Sequence, residues 1–393
     1  MSQKVRFGIE RLASAPGQLR GARVGLLMNQ ASVDASLRYA SEVLVQVLPD
    51  QLVAIFSPQH GLWGEQQANM IETPHTRDAL TGVPVYSLYS EVRRPTREML
   101  ADLDVLLIDL QDVGTRVYTF AWTIQACLGA CSAAGVRVIV LDRPNPIGRA
   151  VEGPLLEPGF ESFVGGTSIP MRHGLTLGEL ARLLNAELDL GADLEVLACE
   201  GLTGDESWDA LGREWIAPSP NVPTVRSVLY YPGQVLLEGT NLSEGRGTTQ
   251  PFEVIGAPFL DPRNFAAALA DYELPGVHFR PLRFQPTFDK WKGASCAGVA
   301  LHVTDARLFE PYRTTVGLLA AARRGWPDAF EWLPPPYEYE TRKMPIDILS
   351  GSARLREALD AGTCRGRADL DDLVRVDVRA WQERVEPHRL YRS

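Results

Sequence analysis

Nothing in this sequence is long and apolar enough to cross a bilayer. Its longest apolar runs, VLLIDL from Val105 and VRVIVLD from Val136, fall far short of the roughly 20 residues a spanning helix needs, so no membrane partner is expected. The opening MSQKVRFGIERL lacks the basic segment and following apolar run of a secretory signal, and a cytoplasmic location is expected. Positive charge is also short: 39 Lys and Arg stand against 49 Asp and Glu, a formal net charge of −10. A phosphate backbone calls for a dense Lys/Arg face, so nucleic acid is not an expected partner. Cysteine is sparse and odd in number, at 127, 131, 199, 296 and 364, with no C-x-x-C spacing. The pair Cys127/Cys131 has no neighbouring Cys or His to complete a metal tetrahedron, so reduced thiols packed as small hydrophobes are expected.

Several catalytic signatures are missing as well. The first strand candidate runs into MNQASVDAS with no glycine, which disfavours a dinucleotide cofactor. There is no GxxxxGK[ST], no G-x-S-x-G and no HExxH, so P-loop chemistry, ordinary esterase chemistry and a zincin-type metal site are set aside. No cofactor and no metal are expected.

What is present is an ordinary globular composition, 45% hydrophobic and 22% charged, in a chain of 393 residues. That length exceeds the roughly 250–300 residues at which one core stops growing, so two domains are expected. Apolar runs recur at RVGLLMN (from Arg23), LVAIFS (from Leu52), PVYSL (from Pro84), VLLIDL and VRVIVLD. They are apolar nearly throughout, as strands buried on both faces of a parallel sheet must be. Helices are predicted over 33–48, 95–102 and 119–134, the last stopped by Gly135. The alternation spells a Rossmann-like, doubly wound α/β domain over 1–250. Beyond it, GVHFRPLRFQPTFDK and CAGVALHVTD read as strands, and RTTVGLLAAARRG and ARLREALDAG as helices. They predict a smaller α+β domain over 251–393.

Doubly wound sheets bind ligands at the carboxyl ends of their strands, and the loops there are polar in this chain. In SPQHGLWGEQQANM, glycines bend the backbone around Gln59, His60, Trp63 and Glu65. His60 and Glu65 suit proton transfer and Trp63 suits stacking on a sugar, while a hydrogen-bonded turn accounts equally well for the acid and the imidazole. In IDLQDVGTRVYT the strand end delivers Asp109, Gln111, Asp112, Arg116 and Tyr118, with an Asp112/Arg116 pair as a structural alternative. In DRPNP two prolines stiffen the backbone and hold Arg143 and Asn145 in place, and APSPNVPT does the same for Asn221. A rigid turn is the plainer reading of DRPNP, and a carboxamide held this way suits an acetamido group. EGTNLSEGRGTTQPF gathers Asn241, Glu244, Arg246 and Thr248 among glycines, where an arginine fork matches a carboxylate.

Taken in order, PQHG, SLYS, DLQDVGTRVYT, DRPNP, HGLTLGEL, PSPNVPT and EGTNLSEGRGTTQPFEVIGAP resemble the successive blocks of the NamZ-type exo-β-N-acetylmuramidases, glycoside hydrolase family 171. The resemblance spans the chain from about Phe7 to the C-terminal segment. It implies a cofactor-free glycosidase that releases a non-reducing terminal N-acetylmuramic acid (MurNAc) from peptidoglycan fragments, in cell-wall turnover or recycling. It makes Arg246 and Arg116 candidates for the lactyl carboxylate, and Asn221 and Asn145 candidates for the acetamido group. Trp63 and Tyr118 are then the stacking candidates.

One departure stands out. The family commonly has Glu in a P-E-H-G block, and this chain has Gln59, whose carboxamide cannot serve as a general acid or base. Three outcomes follow. Glu65 takes over as acid/base with His60, Asp109 and Asp112 positioning the reacting groups; the substrate's acetamido group supplies the nucleophile; or the chain is a non-catalytic binding protein or sensor for cell-wall amino sugars.

Overall fold

The protein is described by a computed structural model covering residues 5–67 and 70–392. The strands, in chain order, are β1 (Val24–Met28), β2 (Leu52–Ser57), β3 (Thr76–Arg77), β4 (Pro84–Ser87), β5 (Val105–Asp109), β6 (Arg137–Leu141), β7 (Glu152–Leu155), β8 (Pro170–Arg172), β9 (Leu194–Leu197), β10 (Val254–Ala257), β11 (Val277–Phe284) and β12 (Cys296–Val303). Seven of them form the main sheet in the order β3-β4-β2-β1-β5-β6-β9, parallel throughout except for the β3/β4 edge.

The strand sequences account for this sheet directly. Successive side chains alternate between two cores: Leu27, Phe56, Leu106, Ile108, Val138 and Val140 face one, and Leu26, Met28, Ile55, Leu107, Ile139 and Leu141 face the other. A strand apolar on both sides has no solvent face to offer, so helices must cover both sides of the sheet. One of these is the predicted helix over 119–134, observed as Phe120–Ala134 and closed by Gly135 at φ 71°. The helix predicted over 33–48 is shorter, Ala40–Val47, because Asp34 accepts backbone N–H groups of Ser36 and Arg38 and holds 33–39 as a loop.

The strand order reverses between β1 and β5, which makes the carboxyl ends of these two strands the switch point of the sheet. The smaller domain is built on an antiparallel sheet, β10-β12-β11, backed by the helix Pro262–Ala268, with the helix Pro311–Gly325 packed beside that helix. One hydrophobic core joins it to the main sheet, running from Phe56 and Ile108 through Leu236 and Phe252 to Val299, Leu319 and Ile348. Among the described residues no helix is long and apolar enough to cross a membrane. All five cysteines are free and buried.

Candidate active site

After β2 the chain turns at once. The Gly61 N–H returns to the Pro58 carbonyl at 3.2 Å, and His60 adopts φ 73°. Gln59 is thereby buried between two partners. The Thr119 hydroxyl donates to its Oε1 at 2.8 Å, and its Nε2 donates to Glu338 Oε1 at 3.0 Å. The other oxygen of Glu338 accepts from the Tyr89 hydroxyl at 2.8 Å. A second carboxylate, Glu238, accepts from Arg246 Nη2 and from the Tyr337 hydroxyl, each at 2.6 Å. Together with His60, Tyr118, Ser219, Asn221, Tyr231 and Phe252, these groups other than Tyr89 enclose a hollow of about 30 Å³. Such a volume holds about one water and is well under the roughly 300–1,000 Å³ of small-molecule sites, so the cup is closed as it stands.

Its electrostatics follow from burial. Burial lowers the His60 imidazole to about 4, more than its contact with the Gln66 carbonyl raises it, so the ring is neutral at pH 7. Burial opposes the charge of Arg246, yet Glu238 and Glu244 hold it firmly protonated. Glu338 is pushed above the usual carboxylate range by burial, against the hydrogen bonds from Tyr89 and Gln59. Behind Arg246, Glu244 pairs with Lys290 at 2.7 Å. The arginine is presented by a turn whose Gly247 has φ 77°, and a Cβ there would lie 2.5 Å from the Phe288 carbonyl oxygen.

Of the residues expected at the site, the structure brings Gln59, His60, Tyr118, Asn221 and Arg246 into the cup. Others serve elsewhere. Asp109 and Arg143 form a buried ion pair, with Arg143 Nη2 at 2.9 Å from Asp109 Oδ2 and also donating to the Val33 carbonyl. The anticipated Asp112/Arg116 pair does not form. Asp112 accepts from the Gly114 N–H and lies 3.6 Å from His173. Arg116, fully buried, donates to the carbonyls of Pro154, Ile169 and Leu349, which leaves it unavailable to a lactyl carboxylate.

Asn145 donates to the Leu175 carbonyl and accepts from the Ile147 N–H, so it closes a turn and does not line the cup. Gln111 ties the Asp112 and Pro144 carbonyls. Asn241 pins the backbone at Ala329 and Glu331, and Thr248 caps its own turn through the Gly245 carbonyl. Trp63 is half exposed, edge-on to Tyr39, and Glu65 is exposed on the outer part of the same loop; neither lines the cup. Gln111 and Arg143 line a separate, open hollow of about 1270 Å³ at the switch point, walled by Asp34, Trp215 and Val225. The segment from 215 to 225 runs between the two hollows, and Asn29 and Gln30 fasten it by donating to the Pro218 and Ala217 carbonyls.

Reading the sequence for strand-end loops missed Glu338, Tyr337 and Tyr89. Tyr89 lies in the SLYS block, but Glu338 comes from PPPYEYE, 279 positions beyond Gln59. The repeated Tyr-Glu pair after three prolines is the signal that could have marked it.

Buried carboxyl groups set beside aromatic rings, amides and one arginine, at the carboxyl end of a doubly wound sheet, define an α/β protein with an acid/base pocket for a polar ligand. Comparison with known proteins makes that class specific. Family models of the exo-β-N-acetylmuramidase NamZ match over most of the chain, the N-terminal model at residues 24–226 and the C-terminal model at 229–391. The chain therefore belongs to the NamZ family of exo-β-N-acetylmuramidases. It is 42% identical over 362 residues to the peptidoglycan β-N-acetylmuramidase NamZ of Bacillus subtilis (strain 168), covering 92% of this chain and 85% of that protein. Crystal structures of two DUF1343 family proteins from Bacteroides fragilis share the fold. One has a TM-score of 0.87 at 33% identity over 99% of both chains, and the other 0.76 at 27% identity over the full length of both. The cup draws on both matched segments, with Gln59 to Val222 from the first and Tyr231 to Glu338 from the second.

Proposed function

We propose that this protein is an exo-acting glycoside hydrolase that releases non-reducing terminal MurNAc from peptidoglycan fragments. The observation that carries the reading is the cup itself, a dead end in which Glu338, Glu238, Arg246, His60 and Asn221 converge. A closed end suits a terminal sugar and excludes the middle of a chain. The 42% identity to a named peptidoglycan β-N-acetylmuramidase supports the chemistry, and it does not favour the reading as a non-catalytic sugar sensor.

In this reading Arg246 answers the lactyl carboxylate, sharing its guanidinium between the ligand and Glu238. Asn221 already donates its Nδ2 to the Gln67 carbonyl, which leaves Oδ1 to accept from the acetamido N–H. Tyr118 supplies a ring wall. A sugar enters when the segment around Tyr337 and Glu338, held across the cup by Gln59 and Tyr89, lifts away. Catalytic or orienting roles for Glu65, Asp109 and Asp112 gain no support from their places outside the cup lining.

The test is turnover of paired aryl β-glycosides of MurNAc and of N-acetylglucosamine, which differ by the lactyl group. The expected result is turnover of the MurNAc glycoside with kcat/KM on the order of 100-fold above its counterpart, because the counterpart leaves the Arg246 N–H groups not used by Glu238 without an acceptor. Equal rates, or no turnover of either, would overturn the proposal.

A further inference from the structure

We propose that Glu338 is the carboxylic acid that transfers the proton at the scissile bond, and that Gln59 is its positioning residue. This deepens the glycosidase reading above and rests on it.

Among the described residues, the carboxylates lining the cup are Glu238 and Glu338. Burial raises both, and they differ in the charge of their partners. Glu238 is committed to a guanidinium, Arg246, and to Tyr337. Burial raises the Glu238 carboxyl as well, but the charge of Arg246 opposes its protonated form directly. Glu338 instead meets two neutral donors, the Gln59 amide and the Tyr89 hydroxyl, one on each oxygen. Each oxygen keeps a second lone pair, so a proton can reside there without displacing either partner. Its burial favours the protonated form.

The segment that carries Glu338 is fixed to deliver it. Glu338 and Tyr339 both take left-handed conformations, with φ 43° and 69°, which non-glycine residues keep when their surroundings over-determine them. Here the surroundings are a bridge between Tyr337 and Glu340, and the Tyr339 ring set against Tyr89, Phe163 and the Arg93 guanidinium. Gln59 is oriented in turn by Thr119, whose hydroxyl engages Oε1 and leaves Nε2 to Glu338. Lifting the segment to admit a sugar withdraws the acid, and closing it returns the acid, so catalysis waits for a filled cup.

The step balances simply. The Glu338 carboxyl proton passes to the glycosidic oxygen as the bond from that oxygen to the anomeric carbon breaks, its electron pair staying on the leaving oxygen. A water then gives its hydroxyl to the anomeric carbon, and its remaining proton restores the acid.

The test compares wild type with Glu338→Gln on a MurNAc-GlcNAc disaccharide and on a dinitrophenyl β-MurNAc glycoside, whose leaving group needs no proton. The expected result is a fall in kcat on the order of 1,000-fold on the disaccharide, within 10-fold on the dinitrophenyl substrate, and KM held within a few-fold. An equal loss on the two substrates, or retention of the disaccharide rate, overturns the assignment. Should Glu338→Gln fail to fold, the alkaline limb of the wild-type and Gln59→Ala pH profiles decides. Removing the amide donor moves that limb upward if Glu338 is the acid, and an unmoved limb contradicts it. The other groups facing Glu338, namely Tyr89, Tyr231, Tyr337, Glu238 and Arg246, remain in that variant. A wild type inert on every substrate defeats the glycosidase reading itself, whereas an active wild type beside an equally active Glu338→Gln defeats this inference alone.

Discussion

Outside the cup, Asp109, Gln111, Arg116, Arg143 and Asn145 tie loops together through backbone carbonyls and one another, whereas Gln59, Asn221, Arg246 and Glu338 enclose a shared cup. The two groups are alike in residue type and in burial. They differ in whether they face a common hollow. Arg116 has its guanidinium donating to three carbonyls from three segments and does not line the cup. Glu338 is held by two neutral donors and keeps a lone pair on each oxygen. Density of charge at a strand end therefore marks a place where loops must be held, and the candidate chemistry lies where carboxyls from distant segments face one hollow.

Substitutions can break this contrast. The largest effect expected is the disaccharide-specific loss in Glu338→Gln, about 4 kcal/mol of transition-state stabilisation if the fall in kcat is 1,000-fold, with an unchanged denaturation midpoint. In the bracing group the signature inverts. Asp109→Asn leaves the Arg143 guanidinium buried without its counter-charge, and Arg116→Met strands three carbonyls, so each should cost about 3–5 kcal/mol of stability in urea unfolding. The protein that remains folded should retain its KM. A Glu338→Gln variant that unfolds, or an Asp109→Asn variant that loses kcat at full stability, would erase the distinction.

Acid sharpens it further. The His60 imidazole is lowered to about 4 when folded, so the unfolded chain binds that proton at a higher pH than the native one. Its contribution is complete above the unfolded value near 6.5 and is lost as pH falls toward 4, about 3 kcal/mol in all. Urea midpoints of wild type should thus fall more steeply than those of His60→Asn between pH 7 and 4, and parallel curves would refute the burial argument. The smallest effects belong to the exposed positions. Trp63→Ala and Glu65→Gln should each shift stability by less than about 0.5 kcal/mol and leave turnover within about two-fold. A large loss of turnover in Glu65→Gln would restore that residue as the acid and remove Glu338.

How much of this was legible in the sequence depended on distance along the chain. β1, β2, β4, β5 and β6 announced themselves, because burial on two faces demands an unbroken apolar run that needs no partner to be recognised. β9 did not, since LEVL is a half-buried edge strand, nor did β10, a four-residue VIGA among glycines and prolines. The likeness of seven ordered blocks was a strong signal for the family. Within the site, Gln59, His60, Asn221 and Arg246 were legible because proline and glycine at their flanks advertise a fixed turn. Spacing is silent on which turn faces which. It could not show that Arg116 points away from the cup, or that Glu338 crosses from the far end of the chain to meet Gln59.

The claim on which the whole account depends is that one closed cup admits a sugar from its end. Digestion of a defined peptidoglycan oligosaccharide bearing MurNAc at its non-reducing end, followed over time by mass spectrometry, examines it most directly. Free MurNAc should appear first, with the remaining chain shortened by one sugar and then resistant once N-acetylglucosamine occupies its end. Early release of disaccharides or longer pieces from within the chain would contradict it.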